Sequence, residues 1–93
     1  MYYKVKDVQP LPAYKILVHF VTGEFKQYNV APLFEKWDTF KTLSNVNGLF
    51  EQVKVDTGGY GISWNDDIDL SCNELWENGM LIEKATVGDL KVM

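Results

Sequence analysis

Three carboxylates in the second half of the chain are the residues most able to bind a metal: Asp66, Asp67 and Asp69. Oxygen-bearing side chains alternate over residues 67–73, as the first ligands of a calcium-binding loop do. The later positions do not fit such a loop, because Cys72 stands where glycine is needed and Asn78 where a bidentate glutamate is needed. We therefore expect solvated carboxylates that favour the N-terminus of a following helix, and no metal site.

Two other side chains could act as a nucleophile or a base. Cys72 stands at the first position of a predicted helix, where the helix N-terminus favours a reactive thiolate. His19, the single histidine, lies within a predicted strand, with Lys26 as its expected cross-strand neighbour. An imidazole can act as a base when a carboxylate lies beside it, and the sequence indicates none there. We expect a structural histidine, a buried structural cysteine and no catalytic activity.

The glycine-rich run Gly58–Gly61 is similar to a phosphate-binding loop only in composition. It joins two predicted strands instead of opening a helix, and it lacks the lysine and the hydroxyl residue that follow in such a loop. We therefore expect no nucleotide cofactor, and nothing else in the chain indicates another cofactor.

The charge of the chain argues against nucleic acid as a direct partner. The formal net charge is −4, and all nine basic residues are lysines. Bidentate recognition of phosphate or guanine depends on the arginine guanidinium, and a duplex repels an acidic surface.

Length and composition predict a single domain over residues 1–93, with 46% hydrophobic and 24% charged residues. The one cysteine, Cys72, can form no internal disulfide, which favours a reducing, cytoplasmic location. The first six residues lack the apolar run of a signal peptide, and no run is long enough to span a membrane. The sequence therefore predicts a soluble protein of the cytoplasm.

The candidate residues must be positioned by two predicted β-hairpins. In the hairpin nearest to them, residues 53–57 and 60–64 flank Gly58-Gly59, a pair that tolerates the positive φ angles of a tight two-residue turn. Folding about this pair sets Val55 opposite Ile62 and places the apolar side chains on one face.

The other predicted hairpin joins residues 14–21 to residues 24–29 through Thr22-Gly23. A two-residue turn there pairs Phe20 with Phe25 and gives both faces apolar side chains. This hairpin should therefore be central, covered by helices on one face and partly covered on the other.

Shorter elements flank the hairpins. A first strand around Tyr3 and Val5 should end at Pro10-Leu11-Pro12, since proline cannot donate to a strand ladder. Pro32 suits the first position of a helix that Asp38-Thr39 should break.

Ser71 and Glu74 form a capping box that starts a further helix, and Asn78-Gly79 should end it. Residues 80–82 could then add an edge strand or pack as a tail. Together these elements predict an α+β fold, with an antiparallel sheet built from two hairpins plus an N-terminal strand and short helices packed on one side.

Aromatic residues are abundant, with three tryptophans, five tyrosines and five phenylalanines. Most belong to the core by their patterning, but Trp37 lies near a loop end and Tyr60 on a hairpin tip that should project from the sheet. Exposed tryptophan and tyrosine are favoured interface anchors, although partial burial at the rim of the domain explains them equally well. The predicted partner-binding residues combine both aromatics with the acidic rim: Tyr60, Trp37, Asp66, Asp67 and Asp69.

Six segments carry short motifs in a fixed order: residues 8–16, 20–24, 30–33, 50–56, 62–64 and 74–79. In this order they resemble the bacterial domain-of-unknown-function family 2442 over nearly the whole chain. The resemblance implies a compact α+β domain, sometimes fused to a helix-turn-helix domain and often encoded beside another small protein in a toxin–antitoxin-like pairing. Ala31 and Thr22 depart from the family's usual residues and affect local stability only. The resemblance implies no catalytic residue.

The sequence thus predicts a non-catalytic protein-interaction module that binds a protein partner or a second copy of itself. The resemblance suggests a neighbouring small protein as that partner. The alternative is a sensor or regulatory domain for a small ligand, in a pocket between the sheet and its helices. An enzyme that uses Cys72 or His19 is the third interpretation.

We expect the fold to be independent of metal and of disulfide bonds, because the chain supplies neither the ligand set of a structural zinc site nor a cysteine pair. Thermal midpoints measured with and without a chelator, and with and without a reductant, should coincide. A large drop of the thermal midpoint in the presence of a chelator would instead indicate that Asp66, Asp67 and Asp69 bind a metal.

Overall fold

The computed structural model describes residues 2–91 and confirms the α+β class and the antiparallel hairpins. Its strands are β1 (Val5–Leu11), β2 (Lys15–Phe20), β3 (Phe25–Asn29), β4 (Lys54–Val55), β5 (Gly61–Asn65), β6 (Ile68–Ser71) and β7 (Met80–Ile82). Its α-helices are α1 (Leu33–Lys36), α2 (Asp38–Asn45), α3 (Cys72–Asn78) and α4 (Val87–Lys91). The strands divide into a four-stranded sheet, β1-β2-β3-β7, and a three-stranded sheet, β4-β5-β6.

The hairpin of β2 and β3 is central, as predicted, but its register differs by one residue. Phe25 lies opposite His19, so the predicted pairing of Phe20 with Phe25 is wrong. The loop has three residues, 21–23, because the Phe20 N–H donates to the Glu24 carbonyl at 2.9 Å and the loop glycine has a φ of 107°. Since side chains alternate along a strand, this one extra residue turns Phe25 to the other face of the sheet.

The second hairpin confirms the pairing of Val55 with Ile62. Gly58 and Gly59 have the predicted positive φ angles, 84° and 79°, but they lie in a 3₁₀ turn and not in a two-residue turn. Gly59 is buried, and a Cβ atom there would lie 2.7 Å from the carbonyl oxygen of Val5. The tip therefore packs against β1, and the prediction that it projects from the sheet is wrong.

Of two predicted breaks, the end of the first strand falls within the predicted segment at Leu11, and the helix break falls one residue before Asp38. β1 continues through Pro10 to Leu11, because β1 is an edge strand and the missing N–H of proline is tolerated there. The helix after Pro32 ends at Lys36, because the backbone of Trp37 is extended, with a φ of −136° and a ψ of 113°. Asp38 starts α2 instead of breaking the helix, and its carboxylate in the first turn favours the N-terminus.

The predicted helix start near the end of the chain is confirmed, and of the two alternatives for residues 80–82 the structure has the edge strand. The Glu74 N–H donates to the Ser71 Oγ at 3.1 Å, so Ser71 caps α3. Gly79 follows the last residue of α3. β7 then pairs antiparallel with β3 at the edge of the four-stranded sheet.

One cluster of buried side chains joins the two sheets to α2 and α3: Val5, Ile16, Val18, Phe20, Tyr28, Val30, Leu43, Phe50, Ile62, Trp64, Ile68, Cys72 and Leu75. A smaller cluster of Leu11, Leu17 and Val87 covers part of the other face of the four-stranded sheet. Both faces of the β2–β3 hairpin are thus covered, one of them in part. Among residues 2–91, no helix is long and apolar enough to cross a bilayer.

Two glycine-to-alanine variants test whether the tip of the second hairpin is held against β1. Gly59 and Gly48 have similar φ angles of 79° and 82°, so alanine should cost each roughly 1–2 kcal/mol of stability. Only Gly59→Ala also drives a methyl group against backbone, which should cost at least about 1 kcal/mol more. Equal losses in urea unfolding would show that the tip is not held there.

Candidate functional site

A groove of about 450 Å³ lies between β6, the terminal strand of its sheet, and the junction of α1 with α2. Leu33, Trp37 and Phe40 form its helical wall, and Asp69 and Leu70 form the wall on β6. Two predicted partner-binding residues, Trp37 and Asp69, therefore meet in one place.

Trp37 owes its exposure to the break between two short helices. Its extended backbone interrupts the helical path, and its side chain remains 60% exposed. Its neighbours Leu33 and Phe40 are half-buried and pack against the main core. The groove thus combines an exposed indole with apolar walls that the core holds in position.

Glu74 of α3 supplies a fixed carboxylate at the groove. The Tyr28 Oη donates to the Glu74 Oε2 at 2.7 Å, which ties α3 to β3. Burial raises the pKa of Tyr28 above its usual range, and the hydrogen bond to Glu74 with its negative charge raises it further. The charged groups that line the groove are Asp69, Glu74 and the exposed Lys36, so carboxylates outnumber the ammonium group.

The structure does not bring Asp66 and Asp67 into this groove. Both lie in the turn between β5 and β6, where the Asn65 Oδ1 accepts the N–H of Asp67 and that of Ile68 at 2.9 Å each. Asp66 lines a separate polar cavity of about 460 Å³ beside Lys54. Within residues 2–91, no group of three or more His, Cys, Asp or Glu side chains is arranged to hold a metal.

Tyr60 lies away from the acidic turn. Tyr60 lies immediately before the five-residue strand β5, and the acidic turn lies immediately after this strand. The strand therefore separates Tyr60 from the turn by about 17 Å of extended chain. The Tyr60 ring is 50% exposed and meets the Tyr2 ring edge-on, with centroids 5.5 Å apart. The Lys4 Nζ lies 4.9 Å from the centre of the Tyr60 ring. Tyr60 therefore belongs to a second, aromatic surface next to the N-terminal segment.

The two candidate catalytic side chains lie apart from the groove. Cys72 is buried in the main core. His19 stacks on Phe25 with ring centroids 4.0 Å apart, and the expected pairing with Lys26 is wrong, because Lys26 lies opposite Val18. Asp7 of β1 is the residue opposite His19, so an acidic residue is the cross-strand neighbour of the histidine.

The fold and the groove define a small α+β domain with an open, partly apolar surface site. A family described as "Protein of unknown function (DUF2442)" matches residues 5–80, and the chain belongs to this family. The matched region contains all the groove residues. Neither the curated proteins nor the solved structures gave a match.

Tyr28→Phe tests the link between β3 and α3 and has a defined pH signature. The unfolded chain releases the phenolic proton near pH 10, below the raised pKa of folded Tyr28, so wild-type stability should fall as the pH rises above about 10. The variant should lose about 1 kcal/mol at pH 7 and show a smaller alkaline decline. Urea unfolding from pH 7 to 11 measures both effects, and parallel pH curves would contradict the role of this hydroxyl.

Proposed function

We propose that the chain is a non-catalytic protein-interaction module whose contact surface is the groove between β6 and the α1–α2 junction. The observation that carries the proposal is the 60% exposure of Trp37 beside the half-buried Leu33 and Phe40. A large aromatic ring next to an apolar pocket is typical of residues that dominate binding at protein interfaces.

The rigidity of the groove supports this function. The wall on β6 is held by pairing with β5, and Glu74 is fixed by its hydrogen bond with Tyr28. The helical wall is anchored by the buried Leu43 of α2. A surface ordered before binding loses less conformational entropy when a partner docks.

The charge of the groove favours a partner segment that is basic as well as apolar. Asp69 and Glu74 line the groove, and the chain carries a net charge of −4. Such complementarity speeds encounter and selects partners, while the apolar contacts hold the complex. The proposal includes a cytoplasmic location, a protein and not a nucleic acid as the partner, and a small companion protein as in a toxin–antitoxin-like pair.

A sensor for a small ligand is the second candidate function. The groove volume of about 450 Å³ lies within the range of known small-molecule sites. Such sites bury most of the ligand surface, whereas this groove leaves its largest side chain mainly in solvent. The exposure of Trp37 therefore favours a protein partner.

Trp37→Ala tests the proposal in affinity capture from the native host, with mass spectrometry to identify bound proteins. A central aromatic anchor contributes about 2 kcal/mol, so the variant should weaken capture roughly 30-fold. Its thermal midpoint should change little, because the side chain is exposed. Asp69→Lys should also weaken capture, by charge reversal.

Two further variants serve as controls. Val46→Ala removes another exposed apolar side chain and should leave capture unchanged. Tyr60→Ala should have little effect on stability. Its effect on capture distinguishes a partner bound in the groove from one bound at the aromatic surface around Tyr60. Loss of the partner with Tyr60→Ala but not with Trp37→Ala would move the contact to the hairpin tip. Co-purification of a small molecule in place of a protein would favour the sensor.

A further inference from the structure

Three of the four sheet edges in the described part of the chain carry features that hinder pairing with another strand. β1 contains Pro10 and a register irregularity between Val5 and Asp7. β4 has only two residues, one of which is the exposed Lys54. β6 presents the exposed carboxylate of Asp69. Short length, proline, irregularities and charge are the usual means by which proteins keep edge strands from pairing.

The fourth edge, β7, has none of these protective features except short length. It consists of Met80, Leu81 and Ile82, and it pairs with β3 without an irregularity. Met80 is 65% exposed and Leu81 is 64% exposed. Adjacent exposed apolar residues on an edge without proline, charge or irregularity indicate a site of strand pairing.

The backbone groups that face outward from β7 follow from the hydrogen bonds of the central hairpin. The Phe20 N–H donates to the Glu24 carbonyl, and the Val30 N–H donates to the Tyr14 carbonyl, both at 2.9 Å. Hydrogen-bonded pairs alternate along an antiparallel ladder, so Lys26, two residues beyond Glu24, directs its N–H and C=O towards β2.

The neighbours of Lys26 on β3 therefore direct their backbone groups towards β7. These neighbours, Phe25 and Gln27, pair with Ile82 and Met80. Leu81 lies between the two bonded positions of β7, so its N–H and C=O point to the open edge.

We propose that β7 pairs with the β7 of a second copy of this chain, antiparallel about a twofold axis at Leu81. The N–H of each Leu81 then donates to the Leu81 carbonyl of the other copy, and each Met80 lies opposite the other copy's Ile82. Apolar side chains meet apolar side chains at all three positions. The two four-stranded sheets become one sheet of eight strands.

The backbone on either side of Leu81 fits the same register. Two residues away in each direction, Gly79 of one copy faces Glu83 of the other, and both have extended backbones. The Gly79 N–H already donates to the Leu75 carbonyl, and the Glu83 carbonyl already accepts the Thr86 N–H. The proposed register uses the remaining backbone group of each residue, the Gly79 carbonyl and the Glu83 N–H. The Glu83 N–H of one copy donates to the Gly79 carbonyl of the other.

This self-complementarity is the reason for choosing a second copy as the occupant. A twofold interface requires one surface to match itself, and this register pairs apolar residues with each other and glycine with glutamate, so no like charges lie opposite one another. The edge is short, and a stable interface buries about 800 Å² per partner. We therefore expect a weak dimer, with a dissociation constant on the order of 100 μM.

Sedimentation equilibrium of the whole chain up to millimolar concentration tests the dimer. Wild type should approach dimer mass, and Leu81→Lys should weaken association at least tenfold, because two ammonium groups would meet at the axis. Val46→Lys, which places the same charge on a side chain that is 49% exposed elsewhere, should leave association unchanged. A wild-type monomer at millimolar concentration, or equal effects of both variants, would overturn the proposal.

Cysteine cross-linking tests the register. Hydrogen-bonded residues opposite each other have Cα atoms about 5.5 Å apart, a distance that a disulfide spans. Leu81→Cys should therefore form an intermolecular disulfide rapidly under mild oxidation. Met80→Cys is equally exposed but should react more slowly, because the two Met80 positions are diagonal to each other in this register. Faster cross-linking at Met80 than at Leu81 would disprove the pairing.

Discussion

The packing of α3 on the four-stranded sheet through Trp76 is the contact on which the rest of the structure depends. The Trp76 ring stacks on Tyr3 at 3.7 Å and meets the edge of Phe20 at 5.0 Å. The Lys26 ammonium lies 4.0 Å from the ring centre and also donates to the Trp76 carbonyl. In the chain, α3 lies between β6 of the three-stranded sheet and β7 of the four-stranded sheet. The Trp76 ring, which packs α3 against the four-stranded sheet, therefore connects the two sheets. The position of Glu74 in the groove and the position of β7 both depend on it.

Signals within short stretches of sequence predicted most of the fold. Alternation placed Ile16, Val18 and Phe20 on one face, and all three are fully buried. Capping chemistry located the start of α3 at Ser71. The register between β2 and β3 could not be read in this way, because it depends on whether the loop has two or three residues. The left-handed Gly23 is compatible with both lengths, so the face occupied by Phe25 was mispredicted.

The groove was only partly predictable, because its walls come from distant parts of the sequence. Trp37 and Asp69 were recognised by residue type, but their proximity depends on the path of α1 and α2 over the sheet. Glu74 was recognised only as a capping residue, since its partner Tyr28 lies 46 residues away. Asp66 and Asp67 are next to Asp69 in sequence, yet the turn carries them away from the groove. The sequence of β7 contains a signal for strand pairing, because its three residues are apolar and include no charge or proline. This signal indicates a pairing site only once the structure shows that β7 is the terminal strand of its sheet.

The groove and the β7 edge lie at opposite ends of α3, so the two proposed contacts use different residues. α3 has seven residues and is about 10 Å long, with Ser71 and Glu74 at the groove and Gly79 at the start of the edge. In the proposed pair, each copy would carry its own groove, separated from its β7 edge by the length of α3. A partner with two contact segments would bind the second groove at an effective concentration in the millimolar range. Binding of such a partner to both grooves would favour the paired state, which couples partner binding to the concentration of the chain itself.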